Sequence, residues 1–487
     1  PGASTIGYKS IGVPGSVAGL AYAQKHWGKL PLAKVMEPAI RLARDGWALS
    51  YEDARDFKDA ELAKFPESHR IFQRNGAYYL PGEIFKQPDL ARTLQRIAQN
   101  PDDFYRGDMA QQIAAAMQKG GGLITAQDLA NYDVKERQPI HGTYRGYEII
   151  SAPPPSSGGI ALVETLNILE GYDLNKYGNR SAESVHLISE AFRRAFFDRA
   201  EFLGDPDFAK IPVAQLIDKR YGAAWREGLN PDKASMSKEL KRPTNFTQLE
   251  TYAAAHPLKL AAREPDYTTH YSVVDAQGNA VAVTTTLNDT FGSRVTISGL
   301  GFLMNDEMDD FASKPGVPNM FGLIQGPANS IGPNKRPLSA MTPTIVLRPS
   351  SDTAPGGTAK PGPAGPEPGA TSADDSGNNS RLFLVLGSPG GPRIITTVAN
   401  ILIGVADWGM DIQSAVNAPR FHHQWLPDAI RIERGFSPDT IKLLEQMGHK
   451  IDRQGYWSDG ECIMIDPKTG ERLGASDGRN NGKALGF

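Results

Sequence analysis

Near residue 266 the apolar pattern of this chain changes period, and that change restricts its architecture more than any other feature. Before it, hydrophobic residues recur at helical spacing. Leu32, Val35, Met36, Ala39, Ile40 and Ala43 mark one face of a helix over 30–46, with Gly46 suited to its stop. Stretches 89–98, 109–119 and 181–203 repeat the pattern, the last being the longest. Residues 144–152 read as a strand that runs into Pro153-Pro154-Pro155-Ser156-Ser157-Gly158-Gly159, with an apolar helix following through Leu169. Beyond the change, 270–275 and 280–287 are β-rich runs joined by Ala276-Gln277-Gly278-Asn279, which predicts a hairpin. Segments 299–304, 342–348 and 381–387 read as further strands, and 394–406 and 437–447 as helices. Helices first, then strands with helices around them, predict an α+β layered sandwich.

One stretch takes no part in this pattern. Residues 349–380 hold six Gly and six Pro and no Val, Ile, Leu, Met, Phe, Trp, Tyr or Cys. They cannot bury enough apolar area to offset their ordering entropy, which predicts a flexible insertion between two strands.

Composition narrows the function. With 487 residues, 40% of them hydrophobic, the chain can bury a large core without disulfides or metal staples. The single Cys462 excludes an internal disulfide framework and a Cys-rich zinc site. Its 52 basic and 55 acidic side chains divide as 34 and 33 before residue 268 and 18 and 22 after it. No basic stripe exists to neutralise a phosphate backbone, so a dedicated nucleic-acid binder is not expected. The best membrane-span candidate, 394–406, has 13 uncharged residues and is too short to cross a bilayer. Pro1 in place of Met suggests a mature product or a fragment.

The common hydrolase signatures are absent: there is no G-x-S-x-G, no H-E-x-x-H and no G-x-x-x-x-G-K-[ST]. Of nine histidines only His422 and His423 adjoin. Adjacent side chains diverge in either regular structure, so a shared metal is not expected there. Asp306-Glu307-Met308-Asp309-Asp310 lacks the glycine turn and the later Glu of a calcium loop. By itself it reads as a solvated acidic run, and Thr268-Thr269 as ordinary strand residues.

The order of motifs gives these residues a context. Thr268-Thr269-His270-Tyr271-Ser272-Val273-Val274-Asp275, then Gly278-Asn279-Ala280-Val281-Ala282-Val283-Thr284, resembles the catalytic strand pair of the γ-glutamyltranspeptidase family of N-terminal-nucleophile hydrolases. Met308-Asp309-Asp310-Phe311, Lys314-Pro315-Gly316-Val317-Pro318-Asn319, Gly332-Pro333-Asn334-Lys335-Arg336-Pro337-Leu338-Ser339, Gly387-Ser388-Pro389-Gly390-Gly391 and Asn417-Ala418-Pro419-Arg420-Phe421-His422-His423-Gln424 follow in family order. Gly12-Val13-Pro14-Gly15, Ala43-Arg44-Asp45-Gly46 and the Pro153–Gly159 run also fit, so the resemblance spans about residues 7–477.

The resemblance implies a four-layer αββα sandwich and a precursor that cuts itself between Tyr267 and Thr268. Residues 1–267 would be a large subunit, N-terminally incomplete relative to the family, and 268–487 a small catalytic one. Thr268 would then carry both a nucleophilic hydroxyl and a free α-amine, whose reference pKa near ~7.7–8 suits a general base. Thr286 would support it by hydrogen bonding. Gly390 and Gly391 would form an oxyanion hole, with Pro392 opening the following helix. For substrate, the resemblance selects Glu307 and Asp310 for an α-ammonium, assisted by Asn288. It selects Ser339 for an α-carboxylate, together with an arginine placed before this chain's start. No cofactor and no metal are implied. The partners are a small γ-glutamyl substrate and an acceptor amino acid or peptide, and the location is periplasmic or secreted.

Three positions depart from the family pattern. Ala340 stands where many members have a second serine, Phe321 where many bacterial members have Tyr in the 315–326 lid loop, and Gly478 where Pro is usual. The expected activity is that of a γ-glutamyltransferase and hydrolase. A glutaryl-type amide acylase on the same scaffold, and an unprocessed non-catalytic homologue, are the alternatives. Glutaryl lacks the ammonium, so Glu307 and Asp310 argue against the acylase, while Ala340 leaves room for it.

Overall fold

The computed structural model describes residues 2–244, 268–349, 381–480 and 482–486. Tyr267, and all of the expected insertion except Pro349, lie outside the described residues.

Three helices of the first part of the chain, α1 (Leu32–Asp45), α2 (Pro88–Gln99) and α3 (Asp108–Gly120), fall where the apolar spacing placed them. Gly46 ends α1 at φ 86°, a backbone state that favours glycine. β1 (Ile140–Tyr144) and β2 (Tyr147–Ser151) form an antiparallel pair. Next come α4 (Gly158–Leu169), buried throughout, and α5 (Ala182–Phe202), whose N-cap Ser181 accepts from the Ser184 amide. α6 (Lys219–Glu227) follows. The hairpin is β3 (Thr268–Val274) with β4 (Ala280–Thr286). After it come β5 (Thr344–Leu347), β6 (Leu382–Gly387), α7 (Arg393–Trp408), α8 (Pro438–Gln446), β7 (Glu461–Ile465) and β8 (Arg472–Ala475).

Six strands join in the order β8-β7-β6-β5-β2-β1, antiparallel throughout. The sheet therefore joins two strands from before residue 267 to four from after it, along the single seam β2–β5. Leu384 and Leu386 of β6 enter the large core shared with α4, α5 and α7, while Val385 enters a smaller core with Val274, Ala280 and Ala282 of the hairpin. Helices, six-stranded sheet and hairpin thus form successive layers. Three short strands, Phe421–His422, Ile430–Ile432 and Ile451–Arg453, make a separate small sheet.

One expected strand is not formed. Residues 299–304 turn instead of extending, because Gly299 and Gly301 take φ 77° and 73°. The Leu300 and Gly301 amides both donate to the Ile297 carbonyl. The apolar residues that suggested a strand, Leu300 and Met304, are buried instead against Met109, Ile113 and Met117 of α3.

Candidate active site

The hairpin has two unlike faces. Thr268, His270, Ser272 and Val274 of β3 stand opposite Thr286, Thr284, Ala282 and Ala280 of β4 on the face toward the six-stranded sheet. The His270 ring lies so close to Gly387 that a Cβ there would come within 2.1 Å of it. Glycine at the end of β6 is therefore what lets the hairpin seat. His270 bonds Thr284 Oγ1 at 2.8 Å and Ser272 Oγ at 3.2 Å, and Ser272 Oγ donates to the Glu461 carbonyl at 2.9 Å. Burial pushes His270 down to about 4, so it is neutral and structural.

Thr268 opens β3. Its Oγ1 donates to Thr286 Oγ1 at 3.1 Å, and that oxygen accepts the Asn288 amide at 2.8 Å. Asn288 takes φ 78°, which turns the chain out of β4 and lets its side chain donate to the Asp306 carbonyl at 3.2 Å. The hydroxyl pair is thus fixed by the register Thr268↔Thr286. Thr268 lines both a groove of about 1440 Å³ and a narrow pocket of about 30 Å³. The pocket also gathers Thr286, Asn288, Glu307, Asp310, Ser339 and Gly391. Seven of the residues expected from sequence are therefore brought together. Gly390 lies one residue from the wall and does not line it.

The acidic run is not a solvated loop. Glu307–Asp310 is one turn of 3-10 helix. Asp306 accepts the Asp289 amide at 2.9 Å, and Asp309 accepts Ser4 Oγ at 2.8 Å and the Met320 amide at 2.9 Å. These two hold the loop together. Among the described residues, no donor reaches the side-chain oxygens of Glu307 or Asp310, the two acids that line the pocket. Burial raises Glu307 well above the usual carboxylate range, with Asp310 and Asp306 adding to it. Burial pushes Asp310 up to about 7, with Asp309 raising it further and Arg199 opposing. Two half-buried carboxylates that no described residue hydrogen-bonds are a site for a cation or a shared proton.

Gly390 and Gly391 take φ 126° and 54° between β6 and α7. Pro392 is the N-cap residue of α7 rather than its first helical one. Among the described residues neither glycine amide donates to a protein acceptor, so both remain free for an oxygen at the helix N-terminus. The buried Phe321 ring packs on Gly391 and forms one wall of the pocket. Gln424 Nε2 donates to the Phe321 carbonyl at 3.2 Å, which gives the His422-His423-Gln424 segment a place beside the site. With Phe321 seated, the pocket has room for about two waters.

His422 bonds Thr396 Oγ1 at 2.9 Å and Gln424 Oε1 at 2.7 Å, whereas His423 faces Asp428 at 3.4 Å. The pair diverges as its spacing requires. His186, Glu190 and His449 place one ligand atom each within 4.8 Å of one another. Glu190 already accepts from Arg193 at 3.0 Å, Arg194 at 2.6 Å and the Ser235 amide at 3.2 Å. His186 Nδ1 and His449 Nε2 share a 2.7 Å hydrogen bond. These contacts satisfy the group as a polar knot within the core.

The family model for gamma-glutamyltranspeptidase matches residues 1–360 and 376–487. The chain belongs to the γ-glutamyltranspeptidase family. The glutathione hydrolase proenzyme of Escherichia coli (strain K12) is 45% identical over 481 residues, covering 98% of this chain and 75% of that protein. The glutathione hydrolase proenzyme of Pseudomonas sp. (strain A14) is 43% identical over 501 residues, covering 100% of this chain and 79% of that one. Among solved structures, cephalosporin acylase from Bacillus halodurans superposes with a TM-score of 0.78 at 25% identity, over 98% of this chain and 78% of that one. The α+β fold is that of the N-terminal-nucleophile hydrolases, and the acylase is the more distant relation.

Among the described residues of this γ-glutamyltranspeptidase homologue, no helix is long and apolar enough to cross a membrane. Sequence reasoning missed Ser157 and Arg199 near the pocket. Ser157 stood inside a quoted motif without a role. Arg199 gave no signal, because α5 is buried all round and its apolar spacing marks core rather than site.

Proposed function

We propose that the chain is a self-processing γ-glutamyltransferase and hydrolase that cleaves the γ-glutamyl amide of glutathione and related compounds. One observation carries the reading. The Thr268 hydroxyl, seated on Thr286, shares a narrow pocket with two half-buried carboxylates that no described residue hydrogen-bonds. A γ-glutamyl group supplies what that pocket lacks, an α-ammonium between Glu307 and Asp310, with Asn288 beside it. Its α-carboxylate meets Ser339.

Processing comes first. The Thr268 hydroxyl adds to the Tyr267 carbonyl, the peptide nitrogen leaves as the new α-amine, and water hydrolyses the ester. The products are a large subunit of 267 residues and a small one of 220. In turnover the free amine takes the hydroxyl proton as Oγ1 attacks the γ-carbonyl. The Gly390 and Gly391 amides receive the oxyanion. Collapse breaks the C–N bond, the leaving amine takes the proton back, and a γ-glutamyl-Thr268 ester remains. Water or an acceptor amino acid or peptide resolves it. Substrate reaches the pocket only if the Phe321 loop swings away, the lid role expected of residues 315–326. A periplasmic or secreted location belongs to the same reading, and cell fractionation tests it.

A denaturing gel of the purified chain should show two fragments, and Thr268→Ala a single band. An uncut wild-type chain would overturn self-processing. Release from γ-glutamyl-p-nitroanilide should exceed release from glutaryl-p-nitroanilide, and the reverse order would make the chain an acylase.

A further inference from the structure

Arg199 lies near the end of α5 and is only 2% exposed. Its Nε donates to Ser157 Oγ at 2.8 Å, and that hydroxyl donates to the Ser339 carbonyl at 2.7 Å. The Ser157 amide reaches the same carbonyl at 2.8 Å. Arg199 Nη1 is sealed from solvent and has no hydrogen-bond partner. The guanidinium is the one basic group among the residues lining the Thr268 pocket. A desolvated guanidinium with unspent donors is costly unless a neighbouring negative charge offsets it. Asp310 lines the same narrow pocket as the guanidinium and supplies the opposing charge.

We propose that Arg199 is the positioning residue of this pocket, serving as internal counter-charge to Asp310 and fixing the Ser339 carbonyl through the Ser157 hydroxyl. The walls that receive the two opposite charges of an α-amino-acid head are then set by one buried cation. The inference deepens the γ-glutamyl reading and rests on it. Asp310 is faced by Arg199 from α5, by Glu307 and Asp309 of its own turn, and across the pocket by Thr268 of β3. Without the guanidinium the nearest side-chain charges, Glu307 and Asp309 on its own turn, are both like charges, so its carboxyl holds its proton to higher pH. A protonated Asp310 binds an ammonium poorly, and recognition is lost from the acid side.

The test is the pH profile of kcat/KM for the processed enzyme and its Arg199→Gln and Arg199→Lys variants. With γ-glutamyl-p-nitroanilide, the acid limb should move up by about 1–3 pH units in Arg199→Gln and stay near the wild-type position in Arg199→Lys. With glutaryl-p-nitroanilide, which carries no ammonium, the limb reports the Thr268 amine and should not move. An unmoved γ-glutamyl limb overturns the proposal, as does equal movement with both substrates. If Arg199→Gln does not fold, Ser157→Ala keeps the charge and cuts the second arm. It should raise KM several-fold with the limb unmoved, and an unchanged KM overturns that arm. A wild-type chain that releases nothing from the γ-glutamyl substrate defeats the functional reading and this inference with it. Turnover with an unmoved limb defeats the inference alone.

Discussion

On one face of the six-stranded sheet, α4, α5 and α7 close over a continuous apolar core that includes Leu166, Phe192 and Ile401. On the other, the hairpin rests on Leu382, Val385 and Ile465, and His270, Ser272 and Thr284 share its inner face. The helix face is held by area, at roughly 25 cal/mol per Å² of apolar surface removed from water. The hairpin face is held in large part by register and hydrogen bonds, which contribute less each but fix position closely. The difference teaches where the reacting group can sit. Thr268 stands on the thinly packed side, aligned by its ladder partner.

The largest test attacks the helix side. Ile401→Ala should cost about 2–5 kcal/mol in urea unfolding, while Val274→Ala on the hairpin side should cost about 1 kcal/mol. Equal losses would erase the contrast. Next, Gly387→Ala drives a methyl into the His270 ring. It should cost about 1–3 kcal/mol and lower turnover more than Val274→Ala does. Turnover spared by Gly387→Ala would mean the hairpin seat does not govern the site.

A smaller effect is electrostatic. Burial raises Asp310 from its ordinary 3.8 to about 7, so the folded state holds a proton that the unfolded chain releases. Its stabilising contribution is complete below about pH 4 and is lost as pH rises through about 7. Across that window wild-type stability should fall relative to Asp310→Asn, by at most ~1.4 kcal/mol per pH unit. Parallel melting curves for the two proteins would sink the assignment. The smallest effect belongs to the hairpin's outer face, where Val281 is 50% exposed. Val281→Thr should change stability by less than about 0.5 kcal/mol and leave turnover unchanged.

Much of this was legible in the sequence, for identifiable reasons. Long helices such as α1 and α5 declare themselves because many residues repeat one period. The β3–β4 hairpin was visible from its turn and its β-branched runs. Segment 299–304 misled because apolar content does not reveal two glycines with positive φ. The short strands 430–432 and 451–453 carry too few residues to show any period. In the site, Thr268, Glu307 and Asp310 were reached through resemblance, since threonine in a strand and acids in a loop are ordinary by propensity. Which acids hold the loop and which face the pocket is decided by donors from Ser4, Asp289 and Met320, far apart in sequence. Arg199 was hidden because a helix buried on every side gives its one charged pocket residue no distinguishing context.

The shared sheet has a consequence for the lifetime of the cut molecule. β2 and β5 come from opposite sides of residue 267 and pair from Glu148↔Leu347 to Ser151↔Thr344 in the middle of the sheet. Parting the two pieces would break that ladder and expose two bare strand edges along with the core beneath them. Their dissociation rate is therefore the rate of global unfolding. Dilution below the unfolding transition should not separate them on the time scale of an experiment, and because unfolding releases two chains, the melting temperature of the cut protein should rise with its concentration when melting is reversible.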